Sequence, residues 1–181
     1  MTLPNYMQRI DIYLLYSYTL QHKNPKKGLK MKTMIMTTPY LVSGDTHEQV
    51  AKRIDSELGQ DSLRIDAIYC SPHQDDFKAA TALQTIFNAT SGKDIPVIIN
   101  PELRVFVEDE DLIQNGFSIL KKMDNRHECA LVVTEAADIR DVKLAFGKAG
   151  FPSPSEATIL TVEGKNWPEK SASATMKTIA P

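Results

Sequence analysis

Two cysteines, one tryptophan and 7% aromatic residues leave this 181-residue chain without the makings of a disulfide scaffold. It has no CxxC pair, no glycine-rich phosphate loop and no glycine-flanked serine of a nucleophile elbow. Its histidines, among them His22, His47 and His127, are scattered and lack the spacing of a metal site, so no metal or cofactor is expected. Charge of one sign is missing too. With 21 basic and 23 acidic residues the net charge is -2, which creates no field for nucleic acid or an anionic membrane. No run approaches the ~20 apolar residues of a membrane span. The stretch Ile10–Leu20 is interrupted by Asp11 and Ser17 and lacks the basic start and cleavage site of a secretion signal. The expectation is a cytoplasmic protein with no membrane or nucleic-acid partner.

What is present is an alternating pattern. Thr33–Thr37, Ile65–Cys70, Pro96–Ile99, Ala130–Thr134 and Ala157–Val162 are short apolar runs of strand length. Between them lie stretches with helical spacing. Thr46 to Gln49 resembles a capping box ahead of Val50, Ala51, Ile54 and Leu58, with Gly59 as the stop. Asp75 or Asp76 is positioned to cap a helix carrying Phe77, Ala80, Leu83, Ile86 and Phe87. Glu108–Lys122 has acids first and lysines last, as the helix dipole favours. A further helix carries Ile139, Val142 and Phe146. Strands alternating with helices predict a three-layer α/β/α domain on a mainly parallel sheet. On this reading Cys70 ends one strand and Cys129 begins another at the opposite edge of the sheet. They would lie about 15 Å apart, too far to bridge, and are expected to be reduced.

The chain divides into an N-terminal extension (1–31), the α/β domain (32–165) and a C-terminal tail (166–181) that reads as frayed. The extension holds Tyr6, Tyr13, Tyr16 and Tyr18 and ends in the basic linker Lys23–Gly28. It reads as a segment that packs on the domain or lies loose, as a dimer-forming or partner-binding helix, or as a stretch upstream of a start at Met31 or Met34. Ligands in parallel sheets sit beyond the carboxyl ends of the strands. The residues to inspect are therefore Thr37-Thr38-Pro39, Ser71-Pro72-His73 and Thr134-Glu135-Ala136.

At these places the chain resembles the histidine phosphatases, the phosphoglycerate-mutase-like superfamily. That family has a first strand running into Arg-His-Gly, and a second leading to Ser-Pro and an arginine one helical turn on. A later strand ends in a second histidine. Here the second block reads Ile68-Tyr69-Cys70-Ser71-Pro72-His73-Gln74-Asp75 with Ala79-Ala80 following, and the later one Leu131-Val132-Val133-Thr134-Glu135-Ala136. Pro101-Glu102-Leu103-Arg104 and Ala157–Gly164 resemble further family segments, and the match spans residues 33–165. The resemblance implies the phosphoglycerate-mutase-like fold and a vestigial pocket at Thr37, Thr38, Ser71, His73, Asp75 and Glu135.

The catalytic positions are replaced. The first-block arginine and histidine fall on Thr37 and Thr38, the glycine on Pro39, the helix arginine on Asp75 and the second histidine on Glu135. The general acid falls on or near Val105, with Glu108 to Asp111 following closely. Phosphoryl transfer needs an imidazole nucleophile and cationic donors around the phosphoryl oxygens. Asp75 and Glu135 would place negative charge there instead. A pair of unit charges at ~4 Å is worth on the order of 4 kcal/mol at an effective dielectric near 20. The resemblance thus implies a catalytically inactive relative that binds a protein or a small ligand, with the N-terminal extension as a possible homodimer contact. The alternative is a divergent active phosphatase or phosphomutase using His73 with Arg104 or Arg140. A third reading is an unrelated α/β domain with a different strand order.

Overall fold

The computed structural model describes residues 31–59, 65–101, 103, 112–164, 167 and 174–181. The strands are β1 (Met31–Thr37), β2 (Ala67–Cys70), β3 (Val97–Ile99), β4 (Cys129–Val133), β5 (Ala157–Glu163) and β6 (Ala174–Ile179). The described helices are α1 (His47–Leu58), α2 (Gln74–Ser91), α3 (Leu112–Lys121) and α4 (Ala136–Ala145). One six-stranded sheet runs in the order β3-β2-β4-β1-β5-β6. The first four strands in that order are mutually parallel, whereas β5 runs antiparallel to β1, and β6 to β5. The expected three-layer, mainly parallel architecture is what the chain adopts.

The two faces of the sheet carry separate cores. Ile35, Ile68, Cys70, Leu131 and Val133 point to one, with Val50 and Ile54 of α1 and Leu83 and Phe87 of α2. Met34, Met36, Tyr69, Ala130 and Val132 point to the other, against Phe117 and Leu120 of α3 and Ile139 and Val142 of α4. Neighbours along each strand thus alternate between the two cores, which is why these strands read as continuous apolar runs. The chain steps one way across the sheet from β1 to β3 and turns back for β4. Right-handed crossovers then put α1 and α2 on one face and α3 on the other.

Local signals set the helix ends. Thr46 Oγ1 accepts from Gln49 N at 3.2 Å, as the capping box predicted. Gly92, at φ 68°, lets α2 end in the left-handed turn that returns its N–H to Asn88 O at 2.9 Å.

Three expectations change. The C-terminal tail is not frayed throughout: Ala174–Ile179 forms β6 on the β5 edge. Cys70 and Cys129 are on neighbouring strands, at opposite ends, rather than at opposite edges of the sheet. Both are buried, free thiols. Asp75 and Asp76 lie inside the first turn of α2, and the residue in the cap position is His73. Met31 is already in β1, and residues 1–30 lie outside the described residues, as do Arg104, Val105 and Glu108–Asp111. Among the described residues no helix is long and apolar enough to cross a membrane.

Candidate functional site

The parallel strands end level with one another. Thr37 pairs with Val133, Val133 with Cys70 and Cys70 with Ile99, while Thr37 faces Ala157 on β5. The next residue outward on each strand therefore falls in one row: Asn100, Ser71, Thr134, Thr38 and Glu156, about 4.8 Å from strand to strand. Backbone bonds from Asn100 N to Cys70 O (2.8 Å) and from Thr134 N to Thr37 O (3.1 Å) carry the ladder into that row. All five side chains are polar and all five are buried.

Buried polar groups need partners, and the hydroxyls find theirs within the protein. Ser71 Oγ donates to Asp76 and accepts from His73 N at 3.1 Å. Thr134 Oγ1 donates to Asp138. Thr38 Oγ1 donates to Tyr40 O (3.3 Å) and Thr37 Oγ1 to Glu156 O (3.1 Å). Glu156 in turn meets Lys143 Nζ at 3.4 Å and accepts from Ser153 N at 3.0 Å. Asp76 and Asp138 occupy the first turns of α2 and α4, where the helix N-terminus favours an anion. A strand-end hydroxyl closes onto each.

The six residues singled out from the sequence all lie at this end of the sheet, at different depths. Thr37, Thr38 and Ser71 are buried and form its floor. His73 and Asp75 face solvent, their side chains 48% and 52% exposed. His73 Nδ1 accepts from Asp75 N at 3.4 Å, so the imidazole acts as the helix cap. Glu135 is half-buried in the cap position of α4, makes no capping bond there, and accepts from Tyr40 Oη at 3.1 Å.

The site is acidic. Three cations on the surrounding elements are already engaged. Arg53 donates to both carboxylate oxygens of Asp45, at 3.3 and 2.6 Å, and holds its pKa down at about 2. Arg140 pairs with Asp141 at 2.7 Å and stacks 4.8 Å above the Phe151 ring. Lys143 is spent on Glu156. Burial, with the charge of Asp76 adding to it, pushes the Cys70 thiol up to about 11, so it is not a thiolate nucleophile. Among the described residues no group of three or more His, Cys, Asp or Glu side chains is arranged to hold a metal ion. Among the described residues the arrangement can accept hydrogen bonds and attract positive charge, and offers little to an anion.

Sequence reasoning passed over Asn100 and Glu156, and read Asp76 as a cap. The usable signal was positional, because the residue just beyond each parallel strand is polar in every case.

No family model matches this sequence, and no curated protein matches it. Among solved structures, a mycobacterial glucosyl-3-phosphoglycerate phosphatase is similar at 9% identity and a TM-score of 0.47, over 82% of this chain and 98% of that one. Phosphoglycerate mutase from Plasmodium falciparum is similar at 16% identity and a TM-score of 0.51, over 82% of this chain and 89% of that one. The latter likeness covers most of both chains, and this chain has the phosphoglycerate-mutase-like α/β fold.

Proposed function

We propose that this protein works by binding, to a protein or a small non-phosphate ligand, and does not transfer phosphoryl groups at the strand ends. One observation carries the reading. Where the related chemistry needs an imidazole and arginines, this chain has Thr37, Thr38, Asp75 and Glu135, and its hydroxyls are tied to backbone carbonyls and buried carboxylates. A phosphate placed there would meet carboxylates in place of cations, each such contact costing on the order of 4 kcal/mol at ~4 Å and an effective dielectric near 20. A threonine hydroxyl that donates to a carbonyl also has no base to activate it.

The surface around the site supports a binding role. The large hydrophobic side chains most exposed among the described residues are Tyr40, Phe77, Ile99 and Phe151. All four stand at this same end of the sheet: Tyr40 after β1, Phe77 at the start of α2, Ile99 as the last residue of β3 and Phe151 before β5. Exposed apolar side chains gathered at one end suit an interaction surface better than a phosphate mouth. The two free, buried cysteines suit a reducing compartment such as the cytosol.

Calorimetric titration of the full-length protein with orthovanadate, a mimic of the phosphoryl-transfer state, tests this. No heat at millimolar ligand is the expected result. Micromolar binding, with phosphomonoester turnover that His73→Ala abolishes, would establish a divergent phosphatase instead.

A further inference from the structure

Strand β3 is the last in the sheet on its side, and its ladder to β2 fixes which of its backbone groups face outward. Ile68 N donates to Pro96 O at 2.9 Å and Asn100 N to Cys70 O at 2.8 Å, with Ile68 opposite Val97 and Cys70 opposite Ile99. Pro96, Ile98 and Asn100 therefore turn their polar backbone groups inward to β2. Successive residues alternate, so Val97 and Ile99 turn theirs away from the sheet. Among the described residues no hydrogen bond reaches these two N–H and two C=O groups.

The free stretch is bounded at both ends. Ile95, the preceding outward residue, already donates its N–H to Asn88 Oδ1 at 2.9 Å, and its carbonyl accepts from Gln84 Nε2 at 2.6 Å. Pro101, the following one, has no N–H to give. What remains is self-complementary. Laid antiparallel about a two-fold axis at Ile98, Val97 meets Ile99 of a second copy and Ile99 meets the second copy's Val97. Every free N–H then finds a free C=O, with none left over.

The side chains suit the same arrangement. Val97 packs against the core under α1 and α2, and Ile98 against the core on the other face. Ile99 shares the face of Val97 by alternation and is 52% exposed. The pairing sets each Ile99 beside a Val97 in one apolar row, and the Val-Ile-Ile strand holds no charge to oppose it. The far edge of the sheet differs: β6 carries Lys177, its side chain 64% exposed, the kind of residue that guards an edge against pairing.

We infer that two copies of this chain join through β3, antiparallel and centred on Ile98, so that each six-stranded sheet continues into the other. A contact through so short a strand falls below the ~1,200 Å² of a stable interface, so the dimer forms in a concentration-dependent way. The inference goes beyond the proposed function. It takes Ile99 from the strand-end surface and leaves Tyr40, Phe77 and Phe151 there, so its failure would leave that reading standing.

Sedimentation equilibrium of the full-length protein, from about 10 µM to about 1 mM, should follow a monomer–dimer transition. Ile99→Lys changes an exposed side chain and should weaken association at least about tenfold. Cysteine trapping reads the register. In Ile98→Cys the new thiols face each other across the axis, with Cα atoms about 4.5 Å apart, and should form a covalent dimer on mild oxidation. In Ile99→Cys they lie more than ~7 Å apart and should link at least about tenfold more slowly. Cys70 and Cys129 are buried, so the unsubstituted protein is the unlinked reference. A monomer at every concentration, or a dimer unchanged by Ile99→Lys, would overturn the inference. So would Ile99→Cys linking as fast as Ile98→Cys, because the copies would then meet in another register.

Discussion

At the scale of single residues, the site is organised by buried polar atoms that have to be matched. Ser71 and Thr134 close on carboxylates, Thr37 and Thr38 on carbonyls, and the imidazole of His73 serves a backbone N–H. The same logic operates at Asp45, whose side chain is only 6% exposed and is clamped by Arg53. Its folded pKa of about 2 lies below the ordinary 3.8. A depressed carboxylate adds stability above its unfolded pKa and loses it as pH falls toward the folded value. Asp45→Asn should therefore lower the melting temperature at neutral pH. The gap from the unsubstituted protein should close between about pH 4 and pH 2. Melting curves across that range check it, and a gap that stayed constant would mean that the carboxylate charge is not what Arg53 uses.

At the scale of elements, α3 and α4 pack so closely that one position admits no side chain. A Cβ on Gly116 would lie 2.3 Å from Asp141 O and 2.7 Å from Asp141 C, both main-chain atoms of α4. Asn115 Nδ2 adds a 2.8 Å bond to Asp141 Oδ2 across the same contact. Gly116→Ala, ordinarily mild or favourable in a helix, should here cost about 1–3 kcal/mol through overpacking. A lower denaturant midpoint with an unchanged slope is the expected readout. The helices differ in how far they could be read beforehand. Thr46 and Gln49 announce α1 by local chemistry that needs no distant partner. The start of α2 was misassigned because Asp75 and Asp76 look alike in sequence, and only the approach of the β2 end turns Asp76 inward onto Ser71.

At the scale of the whole molecule, the sheet finishes at an edge that sequence reading left out. In β6 the burial alternates weakly and only Ile179 is fully covered, so Ala174–Ile179 lacks the apolar alternation of an inner strand. Its ladder with β5 is nonetheless complete from Ala157–Ile179 to Val162–Ala174. Removing residues 174–181 would expose β5, which carries Ile159, Leu160 and Val162, as a new unpaired edge. The truncated protein should melt at a lower temperature and show concentration-dependent aggregation by light scattering. A shortened chain that stayed monomeric and equally stable would show that β6 is dispensable.

The sequence by itself determined the strand–helix alternation and the two-faced burial of β1, β2 and β4. Those are properties of residue type and local spacing, and they persist in any arrangement of the elements. Only the tertiary structure decided that Asn100, Ser71, Thr134, Thr38 and Glu156 share one buried row. The reason is register. Residues far apart in sequence become neighbours only when strands pair, and a shift of one residue in any strand would send these side chains to the other face.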